Sequence, residues 1–122
     1  MYGVPENLDL ERFADFQLVM ISLGPHRIRF HLQKDVQNYA EISAEGKWQI
    51  RDEGGEILDE FVPNDQRECY RVHRLLMLSI VDWRLNAPDW FEIEFEEGYK
   101  LRVYDDSDEY ESFSIQPGDI FV

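Results

Sequence analysis

Cysteine and histidine side chains are the first candidates for chemistry in this sequence, because they can act as nucleophiles, general bases or metal ligands. Cys69 and His73 lie four residues apart, a spacing that would bring them together on a helix. Cys69 belongs to an apolar stripe, however, whereas a catalytic thiol needs exposure in a cleft and a lowered pKa. His26 and His31 lie five apart on one expected strand, so their side chains point to opposite faces. The serines, Ser22 included, lie in no nucleophile elbow. The sequence predicts no catalytic residue, no metal site and no cofactor.

Carboxylates dominate the charge, with 26 Asp and Glu against 12 Lys and Arg and a net charge of −14. Nucleic acids and anionic membranes would repel such a chain, so we expect neither as a partner. A basic partner protein is electrostatically favoured, and the alternative is that the charge serves solubility alone. The predicted contact residues lie on one strand face and in one acidic turn. They are Glu92, Glu94, Glu96, Asp105, Asp106, Asp108, Glu109 and Glu111, with Tyr110 as an aromatic anchor.

Hydrophobic spacing predicts an α+β fold, mainly antiparallel, with a strongly bent sheet or roll of about 7–8 strands. The main helix is expected over about 64–77, where Val72, Leu75 and Leu76 lie near one face. A short N-terminal helix is expected over 8–15. In the other segments apolar residues alternate with polar ones, which predicts strands of a sheet with one buried face.

Turn residues between alternating segments predict three hairpins. The first joins 36–43 to 47–51, the second joins 90–96 to 99–104, and the third joins 110–115 to 119–122. Because no Pro- or Gly-rich linker divides the chain, we expect a single domain over 1–122.

A faint internal repeat appears at an offset of 65 residues, where Ile28 matches Ile93 and Trp48 matches Phe113. It indicates two pseudo-repeated meanders, at about 26–51 and 90–116, joined by the main helix. The alternative is chance, because alternating strands match one another easily.

A reducing compartment is indicated by the single cysteine, which excludes an internal disulfide. The N-terminal residues lack the basic start and apolar run of a signal peptide, and the longest apolar run, 18–23, is too short to span a bilayer. We therefore expect a cytoplasmic protein.

One segment carries a family resemblance. Residues 101–115, LRVYDDSDEYESFSI, resemble the C-terminal region of small uncharacterised bacterial proteins, in which a strand ends in an acidic turn followed by Tyr-Glu-Ser. Residues 91–98, FEIEFEEG, resemble the strand and glycine turn that precede it there. Some of these proteins resemble immunity proteins of polymorphic toxin systems. The resemblance implies partner binding, and it assigns no catalytic role to Tyr110, Glu111 or Ser112.

The leading hypothesis is therefore a non-enzymatic protein-binding module, of the kind that inhibits a basic toxin. A second hypothesis is a small-ligand-binding or enzymatic domain that uses a concave sheet lined by Trp48, Trp83 and Trp90. A third is a self-associating structural protein, a homo-oligomer that pairs through edge strands ending at Phe121 and Val122.

Overall fold

The structure is a computed structural model that describes residues 4, 6–24, 27–62, 70–105, 113–116 and 120–121. Two five-stranded antiparallel sheets account for the strands of this described part. The strands are β1 (Gln17–Leu23), β2 (Ile28–Gln33), β3 (Tyr39–Ala44), β4 (Trp48–Arg51), β5 (Ile57–Glu60), β6 (Ile80–Asn86), β7 (Trp90–Phe95), β8 (Lys100–Tyr104), β9 (Phe113–Gln116) and β10 (Ile120–Phe121). The first sheet has the order β1-β2-β3-β9-β10, and the second has the order β5-β4-β8-β7-β6.

The hydrophobic core lies between the two sheets. Every second side chain of β2 is buried, which is the alternation expected of a strand with one face turned to a core. The Phe30 ring of the first sheet meets the Trp48 ring of the second at a centroid distance of 6.2 Å. Phe91 of the second sheet meets Phe113 of the first at 5.0 Å. These edge-on contacts show that the sheets pack face to face.

The chain passes from one sheet to the other between β3 and β4, and it returns between β8 and β9. The predicted hairpin of 36–43 with 47–51 is therefore wrong, because β3 and β4 belong to different sheets. The predicted hairpin of 90–96 with 99–104 is confirmed, since β7 pairs with β8. In the third predicted hairpin, β9 pairs with β10.

The α+β prediction is wrong, because the described part of the chain is nearly all β. Of the main helix predicted over about 64–77, residues 64–69 lie outside the described residues, and 70–77 contain only the 3-10 helix Val72–Leu75. The helix predicted over 8–15 is the 3-10 helix Glu11–Phe13. Apolar residues three apart suit a 3-10 turn as well as an α-helix, so spacing alone could not separate them. The single bent sheet is likewise replaced by two sheets.

The two sheets follow the same plan. Exchanging β1–β5 with β6–β10 converts the strand order of one sheet into that of the other. The bulge between Leu18 and Met20 in β1 corresponds to the bulge between Ile80 and Asp82 in β6. A bridge between Gln17 and Ser79 joins the two edge strands.

The hydrogen bonds around this bridge are also matched. Leu18 N donates to Leu78 O at 3.1 Å, and Ile80 N donates to Phe16 O at 2.7 Å. The pairings give Trp48 and Phe113 equivalent positions, but they match Ile28 with Phe91 rather than with Ile93. A duplication of the sequence, like the single domain, stays a prediction.

Two turns at one end of the second sheet are in contact. The β4–β5 turn contains Glu53, and the 3-10 turn Glu96–Gly98 joins β7 to β8. A Cβ atom added to Gly98 would lie 2.8 Å from the Cβ atom of Glu53. Because Gly98 also has a φ of 83°, only glycine allows this close approach without strain.

We predict that Gly98→Ala destabilises the fold more than Gly55→Ala does. Gly55 has a similar φ of 86°, but a Cβ atom there meets nothing within 4 Å. Gly55→Ala should therefore cost only the left-handed backbone energy, about 1–2 kcal/mol. Gly98→Ala adds the collision with Glu53. Urea unfolding of the two variants measures the difference, and equal losses would show that the two turns are not in contact.

Candidate functional site

The outer face of the second sheet carries a buried charged pair. Glu92 of β7 is only 3 % exposed, although it faces away from the core. Its Oε1 atom accepts two hydrogen bonds from Arg102 of β8, at 3.2 Å from Nε and 3.0 Å from NH2. The guanidinium carbon of Arg102 lies 3.8 Å from the centroid of the Trp90 ring. Trp90 and Arg102 together shield this carboxylate from solvent, so Glu92 is not a free acidic group.

Polar contacts continue across the same face onto β4. Gln49 is 6 % exposed, and its Oε1 atom accepts hydrogen bonds from the Tyr104 hydroxyl at 3.1 Å and from Arg51 NH2 at 2.8 Å. Lys47 Nζ lies 4.6 Å from the centroid of the Tyr104 ring. This face therefore holds a network of polar and aromatic groups, in which the buried Nε atom of Arg51 has no hydrogen-bond partner.

Arg102 is held in its charged form. Burial by itself lowers the pKa of the Arg102 guanidinium, but the hydrogen bonds that Arg102 donates to Tyr104 and Glu92, and their charges, outweigh it. The pKa of Arg102 therefore lies above its ordinary value, so the guanidinium is a cation at physiological pH.

The other two carboxylates of the predicted acidic strand face lie in different surroundings. Glu94 pairs in register with Asp82 on β6 and with Lys100 on β8, so one neighbour is acidic and one is basic. Glu96 lies beyond the end of β7, where its Oε1 atom accepts a hydrogen bond from Ser79 N at 2.7 Å. The three glutamates Glu92, Glu94 and Glu96 therefore do not form one uniform acidic surface.

The predicted acidic turn begins at the opposite end of the β7–β8 hairpin. Asp105 follows β8, and its backbone N–H donates to Asp89 O at 3.0 Å. The five residues of β8 separate this end from Glu96 by roughly 17 Å. Most of the predicted turn residues lie outside the described part of the chain. They are Asp106, Asp108, Glu109, Tyr110 and Glu111.

A group of carboxylates, exposed except for the half-buried Asp52, lies where the β4–β5 turn contacts the β7–β8 turn. We call it the acidic end, and it consists of Asp52, Glu53, Glu56, Glu96 and Glu97. The nearest cations are directed to backbone carbonyls, since Arg51 NH1 donates to Gly55 O at 3.2 Å and Lys100 Nζ to Gly98 O at 3.4 Å. Sequence analysis missed Asp52, Glu53, Glu56 and Glu97, because only the pairing of β4 with β8 brings the two turns together.

The outer face of the first sheet places a serine, a histidine and a glutamate side by side. Ser22 lies on β1, His31 on β2 and Glu41 on β3. Sequence analysis considered Ser22 and His31 separately and did not single out Glu41. Alternation showed that His31 faces outward, but the strand register needed to join the three was not visible in the sequence.

The remaining sequence candidates do not form a site in the described part of the chain. Cys69, His26 and the side chain of Phe121 lie outside it, as does Val122. Among the residues that the structure describes, no group of three or more His, Cys, Asp and Glu side chains is arranged to hold a metal ion. None of the helices described there is long and apolar enough to cross a membrane. The cytoplasmic location stays a prediction.

Comparisons of the chain with protein-family models, with curated proteins and with solved structures find no match. A functional assignment therefore rests on the geometry of this chain and on its charge. The resemblance of residues 101–115 to small bacterial proteins remains a resemblance.

We predict that Arg102→Met destabilises the fold by about 3 kcal/mol, because it leaves the Glu92 carboxylate buried without its partner. The double variant Glu92→Met/Arg102→Met should recover most of that loss, since no buried charge remains. Urea unfolding at neutral pH gives the free energies. A double variant as unstable as Arg102→Met would show that packing on Trp90, rather than the ion pair, sets the cost.

Proposed function

We propose that this chain is a protein-binding module that binds a basic partner protein, as an immunity protein binds a basic toxin. Charge supports the proposal first. With 26 carboxylates and 12 Lys and Arg, the molecule cannot neutralise its own acidic groups by one-to-one pairing. A strong negative field therefore surrounds the folded chain and attracts a cationic surface.

The acidic end is the observation that carries the proposal. Glu53, Glu56 and Glu97 are exposed there, on turns fixed by the second sheet and by the contact at Gly98. Asp52 stiffens the β4–β5 turn, because its Oδ1 atom accepts hydrogen bonds from Gly54 N at 2.9 Å and Glu56 N at 3.0 Å. Carboxylates held on a rigid support lose little conformational freedom when a partner binds.

The mechanism we propose is electrostatic steering followed by occlusion. A toxin that acts on nucleic acid needs a basic surface for phosphate. An acidic surface that docks there would associate quickly and exclude the substrate. The resemblance of residues 101–115 to immunity-like proteins agrees with this role. The predicted contacts at Glu94, Glu96, Asp105, Asp106, Asp108, Glu109, Tyr110 and Glu111 remain part of the proposal, whereas Glu92 is left out because it is buried and paired with Arg102. The acidic end adds Glu53, Glu56 and Glu97 to them.

The test uses a basic polypeptide encoded beside this chain, purified and mixed with it in a stopped-flow instrument. We expect the association rate constant to fall steeply from low to physiological salt, because the attraction acts over a Debye length. Glu56→Lys/Glu97→Lys should lower the rate constant at low salt by about tenfold. The dissociation rate should change less.

The matched control is Glu6→Lys/Asp9→Lys, which changes the net charge by the same amount at two exposed positions that belong to neither predicted contact region. Both residues precede the 3-10 helix Glu11–Phe13. Equal effects of the two double variants would mean that net charge alone attracts the partner and that the acidic end is not the site. Association that is indifferent to salt would refute the proposed function itself.

A further inference from the structure

A serine, a histidine and a glutamate lie next to one another on the outer face of the first sheet, whereas the acidic end belongs to turns of the second sheet. The Ser22 hydroxyl lies 2.8 Å from Nε2 of His31. On the other side of the ring, Nδ1 of His31 lies 3.6 Å from Oε2 of Glu41. In the tautomer that carries its proton on Nδ1, His31 accepts the hydroxyl proton of Ser22 and directs its own N–H toward the carboxylate. These are the contacts of nucleophile with base and of base with orienting carboxylate.

The base–carboxylate distance of 3.6 Å is longer than a hydrogen bond. Such contacts are commonly loose in unliganded enzymes and tighten when substrate binds. Glu41 is also fixed from its other sides, since its Oε1 atom lies 3.5 Å from Arg29 Nε and accepts a hydrogen bond from Ser43 at 3.5 Å. The contacts with Arg29 and Ser43 therefore place the Glu41 carboxylate beside the imidazole of His31, and neither contact involves the imidazole.

A β-bulge brings Ser22 to this face. The register of β1 against β2 shifts between Leu18 and Met20, so that Leu18 pairs with Leu32 and Ser22 pairs with Arg29. Without the extra residue, the side chain of Ser22 would point into the core with that of Leu18, because side chains alternate strictly along a strand. Bulges of this kind commonly turn a side chain toward a functional site.

The second sheet provides a comparison within the same molecule. Its equivalent positions hold Arg84, Glu94 and Lys100, in the same cross-strand pairing as Ser22, His31 and Glu41. The same fold therefore accommodates three residues of alternating charge at these positions. The Ser-His-Glu row in the first sheet is not required by the architecture.

A positively charged residue is also the cross-strand neighbour of Ser22. Arg29 pairs directly with Ser22 across β1 and β2, on the same outer face. Its Nε atom is buried and has no hydrogen-bond partner, although Glu41 lies nearby. A guanidinium at this position can stabilise the negative oxygen that forms when a carbonyl is attacked.

We propose that Ser22 is an activated nucleophile that hydrolyses small carboxylic esters. Its Oγ atom attacks the ester carbonyl carbon while Nε2 of His31 accepts the hydroxyl proton, and the carbonyl electron pair moves to oxygen beside Arg29. Collapse breaks the bond to the alcohol oxygen, which leaves with the proton from His31. Water then attacks the acyl-Ser22 ester by the same route, releasing the carboxylic acid and restoring the serine. Glu41 is a positioning residue.

The test is covalent labelling of the full chain with an ethyl fluorophosphonate, in which Ser22 forms a bond to phosphorus and fluoride leaves. We expect one adduct per chain, located at Ser22 by peptide mass analysis. His31→Gln should lower the maximal labelling rate by on the order of 100-fold. Glu41→Gln should lower it about tenfold while the half-saturating probe concentration stays unchanged, a split that a general loss of structure would not produce.

Ser22→Ala should lose the label, whereas Ser114→Ala, a serine on the same face that contacts neither His31 nor Glu41 in register, should keep it. p-Nitrophenyl acetate tests the ester reaction, and Ser22→Ala should abolish the hydrolysis that exceeds the buffer rate. Urea unfolding shows that each variant is folded. The proposal is overturned if the folded wild-type chain is labelled no faster than the unfolded chain, or if the adduct lies on another residue.

Discussion

Each sheet of this protein is completed by strands from the other half of the chain, and the remaining structure depends on that exchange. Strands β4 and β5 extend the sheet formed by β6, β7 and β8, whereas β9 and β10 extend the sheet formed by β1, β2 and β3. Neither half can therefore bury its core alone. The ring contacts of Phe30 with Trp48 and of Phe91 with Phe113 lie where the exchanged strands face the opposite sheet. Because most of the stabilising area comes from such long-range packing, the two sheets should form together.

The same scaffold presents different chemistry on its two outer faces. In the second sheet, charged side chains are buried and paired, as Glu92 is with Arg102. In the first sheet, the corresponding region presents Ser22 beside His31. The acidic end is a third feature, placed at the turns rather than on a face. Two sheets built on the same plan can thus carry different side chains, because each strand position is free to differ once the alternation of buried residues is kept.

The parts of the fold that could be predicted from the sequence are those that depend on residues close together in the chain. The β7–β8 hairpin was predictable, because Phe91, Ile93 and Phe95 alternate before a glycine turn. The sheet exchange was not, since Glu45-Gly46 suits a hairpin turn as well as a crossing between sheets. The helix over 64–77 failed in its described part for a similar reason. Met77, at the end of that range, has a φ of 70° and donates its backbone N–H to Leu18 O of β1, so a tertiary contact outweighs local helix propensity there.

The candidate sites were still less accessible to sequence analysis. The acidic strand face was inferred from alternation alone, which cannot show that Arg102 and Trp90 cover Glu92. The row containing Ser22 and His31 depends on a single extra residue in β1, and no local pattern announces such a bulge. Charge, by contrast, is independent of register. The net charge of −14 could therefore be read directly from the sequence.

The strand exchange also determines when the chain can fold during its synthesis. The first three strands leave the ribosome early, but β3 lacks its neighbour until Phe113 and the residues after it have emerged. Until then β3 is an unpaired edge strand of the nascent chain. A ribosome that stalls before this point therefore carries an incomplete sheet. Folding must therefore wait for the last strands to be translated, so for this protein chaperone contact on the ribosome matters more than it would for a fold built from consecutive hairpins.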